Sequence, residues 1–331
     1  MRSVDYNPLL QAPPHVPLES IDSIPQANVP SWLITIPVWG TRCVGTFVNF
    51  VLPSIFAAVD HSKSTVRFLV HTDEPKQIQG AMQGLKVECR EVPKAASPHH
   101  SLGAIHREAI TTAKTGEIIA FLCADIVLSI ECFAAAEQQF VLGKKLIMCA
   151  ATRTFGGSPP IGALSKQLLA WTMENKHPVI EQCFWGTGHS MTPWAVYFKQ
   201  GDNIVLRAFH LHPFAAVKDR EILFKGVTVD FDLASSYSRE QIHVVTDVNE
   251  LSLAEISPLL GNRFLNRPLP MTADSVAAWA TRQTVDVHRW FFRHHEIVIA
   301  GERGQCGEQP VCEQIIAKTI GKPPAPVARG A

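Results

Sequence analysis

The stretch AIHREAITTAKTGEIIAFLCADIVLS, residues 104–129, decides how this chain folds. Within it Glu117 to Cys123 (EIIAFLC) is continuously apolar, the pattern of a central strand whose sheet is covered on both faces. Upstream, Ser101 to Lys114 sets Leu102, His106, Ala109, Ile110 and Ala113 on one helical face, and Gly116 ends that helix. Asp125 comes directly after the apolar run. An acidic residue there is badly placed unless it caps a helix or binds something. Two readings follow: Asp125 is the N-cap of a helix running from Val127 to Leu142, or it belongs to a site.

Working outward, strand and helix signals alternate. Ser31 to Val38 (SWLITIPV) is a buried strand stopped by Trp39-Gly40. Val44 to Ala58 has helical spacing, with Pro53 expected to kink or split it. Val66 to His71 is a second strand, and Thr72-Asp73-Glu74-Pro75 opens the next helix. Leu85 to Val92 is a third strand; a helix over Ile130–Leu142 and a strand over Lys145–Ala150 follow the central run. This alternation predicts an α/β fold with a mostly parallel sheet flanked by helices. Ligands of such folds bind beyond the carboxyl ends of the strands, so Pro37 to Gly40, His71 to Asp73 and Ala124 to Ile126 are expected at one crevice.

The second half is less regular. It contains the aromatic, glycine-bearing stretch Phe184 to Trp194, a strand-like run over Asn203–Phe209 and a loop His210-Leu211-His212-Pro213. We expect residues 151–303 to be built on the same sheet as residues 31–150 rather than to form a separable domain. Residues 1–30, with six prolines, read as a disordered leader, and residues 304–331 as a flexible tail.

Composition narrows the function. Of 331 residues 46% are hydrophobic and 18% charged, enough for a substantial core, and 30 basic side chains balance 30 acidic ones. No global field exists to hold nucleic acid, though a local patch stays open. Several of the eight cysteines sit in apolar runs, and no CxxC pair occurs. A reducing, cytoplasmic setting is therefore expected. The start lacks a signal-peptide pattern, and Val44 to Val59, the most apolar stretch, is too short to span a bilayer. Peripheral membrane contact and oligomeric state are left open.

The central segment resembles the stretch of GT-A glycosyltransferases in which a helix of type ARNxGIxxAxG leads into a strand of type EYIxFLDxDD. Ile110, Ala113, Gly116-Glu117 and Phe121-Leu122 match it, with Ala109 in place of the helix glycine and one extra residue before Gly116. Ile36-Pro37-Val38-Trp39 is similar to the end of that family's first strand, and Phe50 to Ser54 fits the helix that follows. The resemblance covers about residues 32–150. It implies a nucleoside-diphosphate sugar as donor, a glycan or lipid-linked acceptor, and a divalent cation (manganese or magnesium) bridging the phosphates. The family's DxD stands here as Cys123-Ala124-Asp125, so the metal-type aspartate is present and the first one is cysteine. That departure touches ribose recognition and metal dependence.

The same resemblance points to further positions. Asp125 would hold metal and diphosphate together with His210 or His212, whose spacing of two puts both rings on one side of an extended chain; the plainer reading is two structural histidines. Pro37 and Trp39 would line the donor site, and Asp73 would accept a nucleobase N–H or else cap the next helix. His106 lies beneath the crevice, either as a donor-site residue or as a satisfied core histidine. Asp230 and Asp232, in Val229-Asp230-Phe231-Asp232 after an apparent strand, would form a general-base or acceptor pair, or an ordinary acidic loop. Trp185 and His189 would stack on the acceptor sugar, or belong to a packed aromatic corner. No phosphate-binding glycine motif follows a strand, against a dehydrogenase or P-loop enzyme. The remaining alternatives are a nucleotidyltransferase and a non-catalytic GT-A-like protein that binds sugar or protein.

Overall fold

The computed structural model describes residues 31–186, 189–190, 194–200, 203–219, 222, 228–247, 249–257, 269–300 and 310–319. The expected leader, residues 1–30, lies outside them. In chain order the first half comprises β1 (Ser31–Val38), α1 (Thr41–Thr46), α2 (Leu52–Ser62), β2 (Thr65–Thr72), α3 (Pro75–Ala81), β3 (Val87–Arg90), α4 (Pro98–Thr112), β4 (Ile118–Phe121), β5 (Ile126–Leu128), α5 (Cys132–Val141), β6 (Leu146–Cys149) and β7 (Ala151–Thr154). The second half adds α6 (Ser165–Glu174), β8 (His189–Ser190), β9 (Ala195–Gln200), β10 (Asn203–Ala208), β11 (His212–Val217), α7 (Val229–Asp232), β12 (Ile242–Val244), β13 (Leu253–Ile256), β14 (Leu269–Pro270), α8 (Ala273–Gln283), α9 (Asp286–His294), β15 (Ile297–Ala300) and α10 (Pro310–Thr319).

Seven strands form the main sheet in the order β12-β6-β11-β4-β1-β2-β3. Every neighbouring pair is parallel except those of β11, which runs antiparallel to both β4 and β6. The fold is α/β, a mainly parallel sheet flanked by helices. The fully buried β4 is central, as its apolar run requires.

Alternation along β1 builds both layers. Trp32, Ile34 and Ile36 pack with Phe47, Val51 and Ile55 of the first helical segment and Phe133 of α5. Leu33 faces the other way, with Leu69, Phe121 and the α4 residues Ala109 and Ile110. α4 starts at Pro98, three residues earlier than expected, because Ser97 caps it: the Ser97 hydroxyl accepts the His100 N–H at 3.4 Å. At its far end Gly116 turns into β4 with φ 84, a conformation that favours glycine.

Pro53 does not split its helix in two. A π-helical turn, Phe47–Val51, joins α1 to α2 and places Pro53 in the first turn of α2. The continuous helix Thr41–Ser62 has 22 residues, longer than expected, and its length and composition would suffice to cross a membrane. Its Val44, Phe47, Val51 and Ile55 side chains are nevertheless buried against the sheet.

The second half departs from expectation in three ways. The His210–Pro213 segment is not a loop throughout, since His212 begins β11 inside the main sheet. Besides β11 and β12, it carries a separate three-stranded sheet, β15-β10-β9, with its own core of Val196, Phe198, Phe209, Trp279 and Phe292. The expected flexible tail contains α10, whose Cys312, Ile315 and Ile316 are buried in that core; the rest of the tail lies outside the described residues.

Ser54 shows how tightly the layers are joined. Its buried hydroxyl donates to the Val51 carbonyl at 2.7 Å and accepts the Leu128 N–H of β5 at 3.2 Å. Ser54→Ala leaves that buried N–H without a partner, and we expect a loss of about 1–3 kcal/mol in denaturant unfolding with an unchanged m-value. A loss below a few tenths would show that Ser54 is not a tie between layers.

Candidate active site

The carboxyl ends of β1, β2 and β4 meet as the alternation predicts. Pro37 lies in register with His71, both buried, and Trp39 is half-buried in the following turn. Asp73 does not cap α3: the N-cap is Glu74, and the Glu74 N–H goes to the Thr72 hydroxyl at 3.0 Å. Instead the exposed Asp73 carboxylate accepts the Gly40 N–H, at 3.0 and 3.1 Å to its two oxygens, tying the end of β2 to the turn after β1. His106 is a buried core residue under the crevice. Its ring meets Phe121 edge-on at 5.5 Å, and burial first, then the charges of His212, His71 and Arg107, push its pKa down to about 3.

Asp125 sits in the turn between β4 and β5, not at a helix N-terminus. α5 begins seven positions later behind Glu131, so the capping reading fails. Two short strands surround Asp125 with charge. β13 lies between β5 and β7, and its register sets Glu255 beside both Ile126 and Arg153. Arg153 Nη2 meets Glu255 Oε1 at 2.9 Å, and the Ser257 hydroxyl donates to the same oxygen at 2.7 Å. The Ile256 N–H donates to the Asp125 carbonyl at 2.7 Å. The Asp125 carboxyl keeps part of its surface open, yet protein atoms crowd it. Burial, and next the Glu255 carboxylate, push its pKa up to about 7 against the pull of Arg42 and Arg153. Cys123 is held protonated, chiefly by burial and then by the charges of Asp125, Glu255 and Asp230.

A cleft enclosing about 730 Å³, its open mouth included, lies beside this group. Arg153, Glu255, His210 and His212 line it together, so both histidines do face one space. Each ring is already committed on one nitrogen. His212 Nε2–H donates to the Phe121 carbonyl at 2.6 Å, and His210 Nε2–H to the Gln283 carbonyl at 3.2 Å. His210 also packs at 4.4 Å on His288, which donates to the Asp230 carbonyl at 3.2 Å. Burial lowers the pKa of both cleft histidines, opposed at His210 by Asp230 and at His212 by the Phe121 carbonyl, Asp230 and Glu255. The expected shared shell of Asp125, His210 and His212 is not assembled: among the described residues no three His, Cys, Asp or Glu side chains converge as metal ligands.

Asp230 and Asp232 lie in the single helical turn α7 rather than in an extended segment, and residues 223–227 before it lie outside the described residues. Asp230 belongs to the site through its charge, felt by Cys123, His210 and His212; the Asp232 side chain lies outside the described residues. Trp185 stacks on Phe198 at 6.0 Å as part of an aromatic corner. His189 pairs in the backbone register with Pro270, and its side chain too lies outside the described residues.

Glu255, Arg153 and Arg42 are the site residues that sequence reasoning missed. Ala151 to Thr154 and Leu253 to Ile256 each place one charge in a short strand-like tetrad. Opposite charges at matching positions of two such tetrads are the available signal.

No family model and no curated protein matches the chain. Among solved structures it is similar to TarS of S. aureus, a glycosyltransferase. TarS residues 1–349 are 12% identical over 88% of this chain and 71% of that one, at a TM-score of 0.38. The same TarS region in complex with UDP is 16% identical over 39% of this chain and 38% of that chain, at 0.31. A further TarS structure is 13% identical over 76% and 39%, at 0.37. Likeness of this size leaves the functional reading to the residues themselves.

The Asp125–Glu255 pair makes a signed prediction. The folded chain binds the Asp125 proton more tightly than the unfolded chain does, because the pKa rises from 3.8 to about 7. Stability contributed by this group is therefore full at low pH and falls as pH rises through that window. Asp125→Asn removes the penalty, so its melting temperature relative to the parent should rise between about pH 4 and pH 8. A flat or falling difference across that range would contradict the crowded pair.

Proposed function

We propose that the chain transfers a sugar from a nucleoside-diphosphate donor to an acceptor hydroxyl. The observation that carries this reading is the pairing of Asp125 with Glu255 just past the carboxyl end of the central parallel strand, with Arg42 and Arg153 beside them. Two carboxylates whose surroundings raise one pKa toward neutrality form an acid–base device. The motif resemblance over residues 32–150 supports the donor class.

In the proposed step the acceptor O–H gives its proton to the Asp125 carboxylate. The acceptor oxygen forms a bond to the anomeric carbon, and the bond from that carbon to the diphosphate oxygen breaks with its electron pair leaving on the nucleoside diphosphate. Glu255, held by Arg153 and Ser257, supplies the negative charge that makes Asp125 a competent base near pH 7. Arg42 is exposed at the start of α1, and its hydrogen-bond contact there is a 3.9 Å approach to Cys43 Sγ. It is free to swing onto the leaving diphosphate and offset the charge that develops there. No step is assigned to a divalent cation, because the ligand set expected for one is not assembled.

Cys123 in place of an aspartate supports the rival reading, a non-catalytic relative that binds sugar or protein. Nucleotide binding separates the two. Uridine or guanosine diphosphate at about 100 times its dissociation constant should stabilise the fold by roughly 2.7 kcal/mol, seen as a rise in melting temperature that Arg42→Ala weakens. Asp125→Asn should retain nucleotide binding while transfer falls by roughly 10²–10⁴. A chain that no nucleoside diphosphate stabilises is not a sugar transferase of this kind.

A further inference from the structure

The edge of the main sheet where the parallel strands begin, opposite the crevice, carries lysine on nearly every strand. Lys63 precedes β2, Lys86 precedes β3, Lys114 precedes β4, and Lys144 and Lys145 precede β6. Lys218 joins them because β11 runs the other way and ends at this edge. In the order β6-β11-β4-β1-β2-β3, at about 4.8 Å between neighbouring strands, these cations extend over roughly 24 Å. Acids are fewer here, and two of them are matched within the edge: Glu117 by Arg67, and Asp219 by Lys145 at 3.3 Å. Glu137 accepts the Trp32 Nε1–H at 2.8 Å, while Asp60 and Glu240 stay exposed, the latter beside the exposed Arg239. The whole chain balances 30 basic against 30 acidic residues, so the excess is local to this edge.

Two apolar side chains stand among the cations. Val141 and Leu142, at the end of α5, are 85% and 68% exposed, more than any other large apolar residue among the described residues. The helix end fixes that exposure. Lys144 N–H donates to the Gln139 carbonyl and Gly143 N–H to the Phe140 carbonyl, both at 3.0 Å, and Gly143 has φ 87. This closure holds the last turn in place. Phe140, one position before Val141, packs near Trp32 at 6.2 Å, so the helix cannot roll to bury its neighbours without withdrawing Phe140 from the core. Val141 lines one groove with Lys114 and Lys145. At the β3 end of the same edge, Leu85, 38% exposed, precedes Lys86.

We infer that this edge docks on an anionic lipid surface, with Val141 and Leu142 entering the acyl boundary and the lysines meeting the headgroups. Cations alone would serve any polyanion; an exposed apolar pair set among lysines fits a surface that offers both negative charge and hydrocarbon. Each lysine near such a surface strengthens binding roughly fivefold. Lysine stems are long enough to keep the ammonium groups at the headgroups while the apolar pair enters. The crevice lies at the opposite ends of the parallel strands, so the docked chain presents it away from the bilayer. The inference does not depend on the transferase reading.

Flotation of the whole chain with vesicles tests it, using equal parts of phosphatidylcholine and phosphatidylserine against phosphatidylcholine alone. We expect binding to the mixed vesicles, little to the neutral ones, and a loss as ionic strength rises from about 0.1 M to about 0.5 M. Val141→Ser with Leu142→Ser, both at exposed positions, should melt with the parent, weaken the mixed vesicles at least about tenfold and leave binding to heparin, a polyanion without hydrocarbon, unchanged. Lys86→Glu with Lys114→Glu should weaken vesicles and heparin alike. If the serine pair melts early, Leu142→Gln alone makes the same test. Failure to bind the mixed vesicles overturns the inference, and so does equal vesicle binding by a folded serine variant. A dimer that the serine substitutions dissociate would assign the patch to a second copy of the chain and overturn it as well.

Discussion

Much of this structure depends on one strand running against its neighbours. β11 enters antiparallel between β4 and β6, and an antiparallel strand begins where its parallel neighbours end. The residues leading into it, His210 and His212, are therefore delivered to the carboxyl-end crevice by chain direction alone. At the other end the strand is locked: Gly116 N–H donates to the Lys218 carbonyl at 2.7 Å and Lys218 N–H to the Glu117 carbonyl at 2.8 Å. Ala215 and Ala216 point to opposite faces and are fully buried, so the inserted strand adds little bulk between the layers.

Glu117 shows what stabilises that lower edge. Arg67 grips its carboxylate with two bonds of 2.7 and 2.6 Å, and the Lys114 N–H adds a third at 2.9 Å. Burial works to raise the Glu117 pKa, but these bonds and the Arg67 and Lys114 charges carry it below the ordinary value. The contrast with Asp125 is physical. Both acids flank β4; one is matched by a guanidinium fork, whereas the other faces a second carboxylate. Satisfied charge sits at the amino end of the strand and unsatisfied charge at the carboxyl end, where ligands bind in such sheets.

The sequence made β1 to β4 and the place of Asp125 legible because apolar runs and helical periods there are long enough to be unambiguous. β5 was hidden: three residues, Ile126 to Leu128, read equally well as the start of the next helix. β11 was hidden by Pro213, which argues against a central strand. The chain tolerates it at the second position, with a register shift between Pro213 and Ala215. Val229 to Asp232 is too short for its alternation to tell a strand from a helical turn. α10 was masked by the proline-rich composition around it, although its Ile315 and Ile316 fill a core formed by elements far away in the chain. The site shows the same division. Asp125 could be placed from local pattern, whereas Glu255 and Arg153 reach it only through β13, which pairs with segments about a hundred or more residues distant.

That distant pairing also bears on the cysteine at 123. An aspartate there would be a further carboxylate beside Asp125, Glu255 and Asp230, all of which already act on the Cys123 side chain. Arg42 and Arg153 are the positive charges that act on Asp125, too few to balance four acids in a crowded place. A neutral thiol removes that conflict and lets Glu255 supply the second carboxylate from β13. The second acid beside Asp125 thus comes from the neighbouring strand β13, where Arg153 and Ser257 orient it.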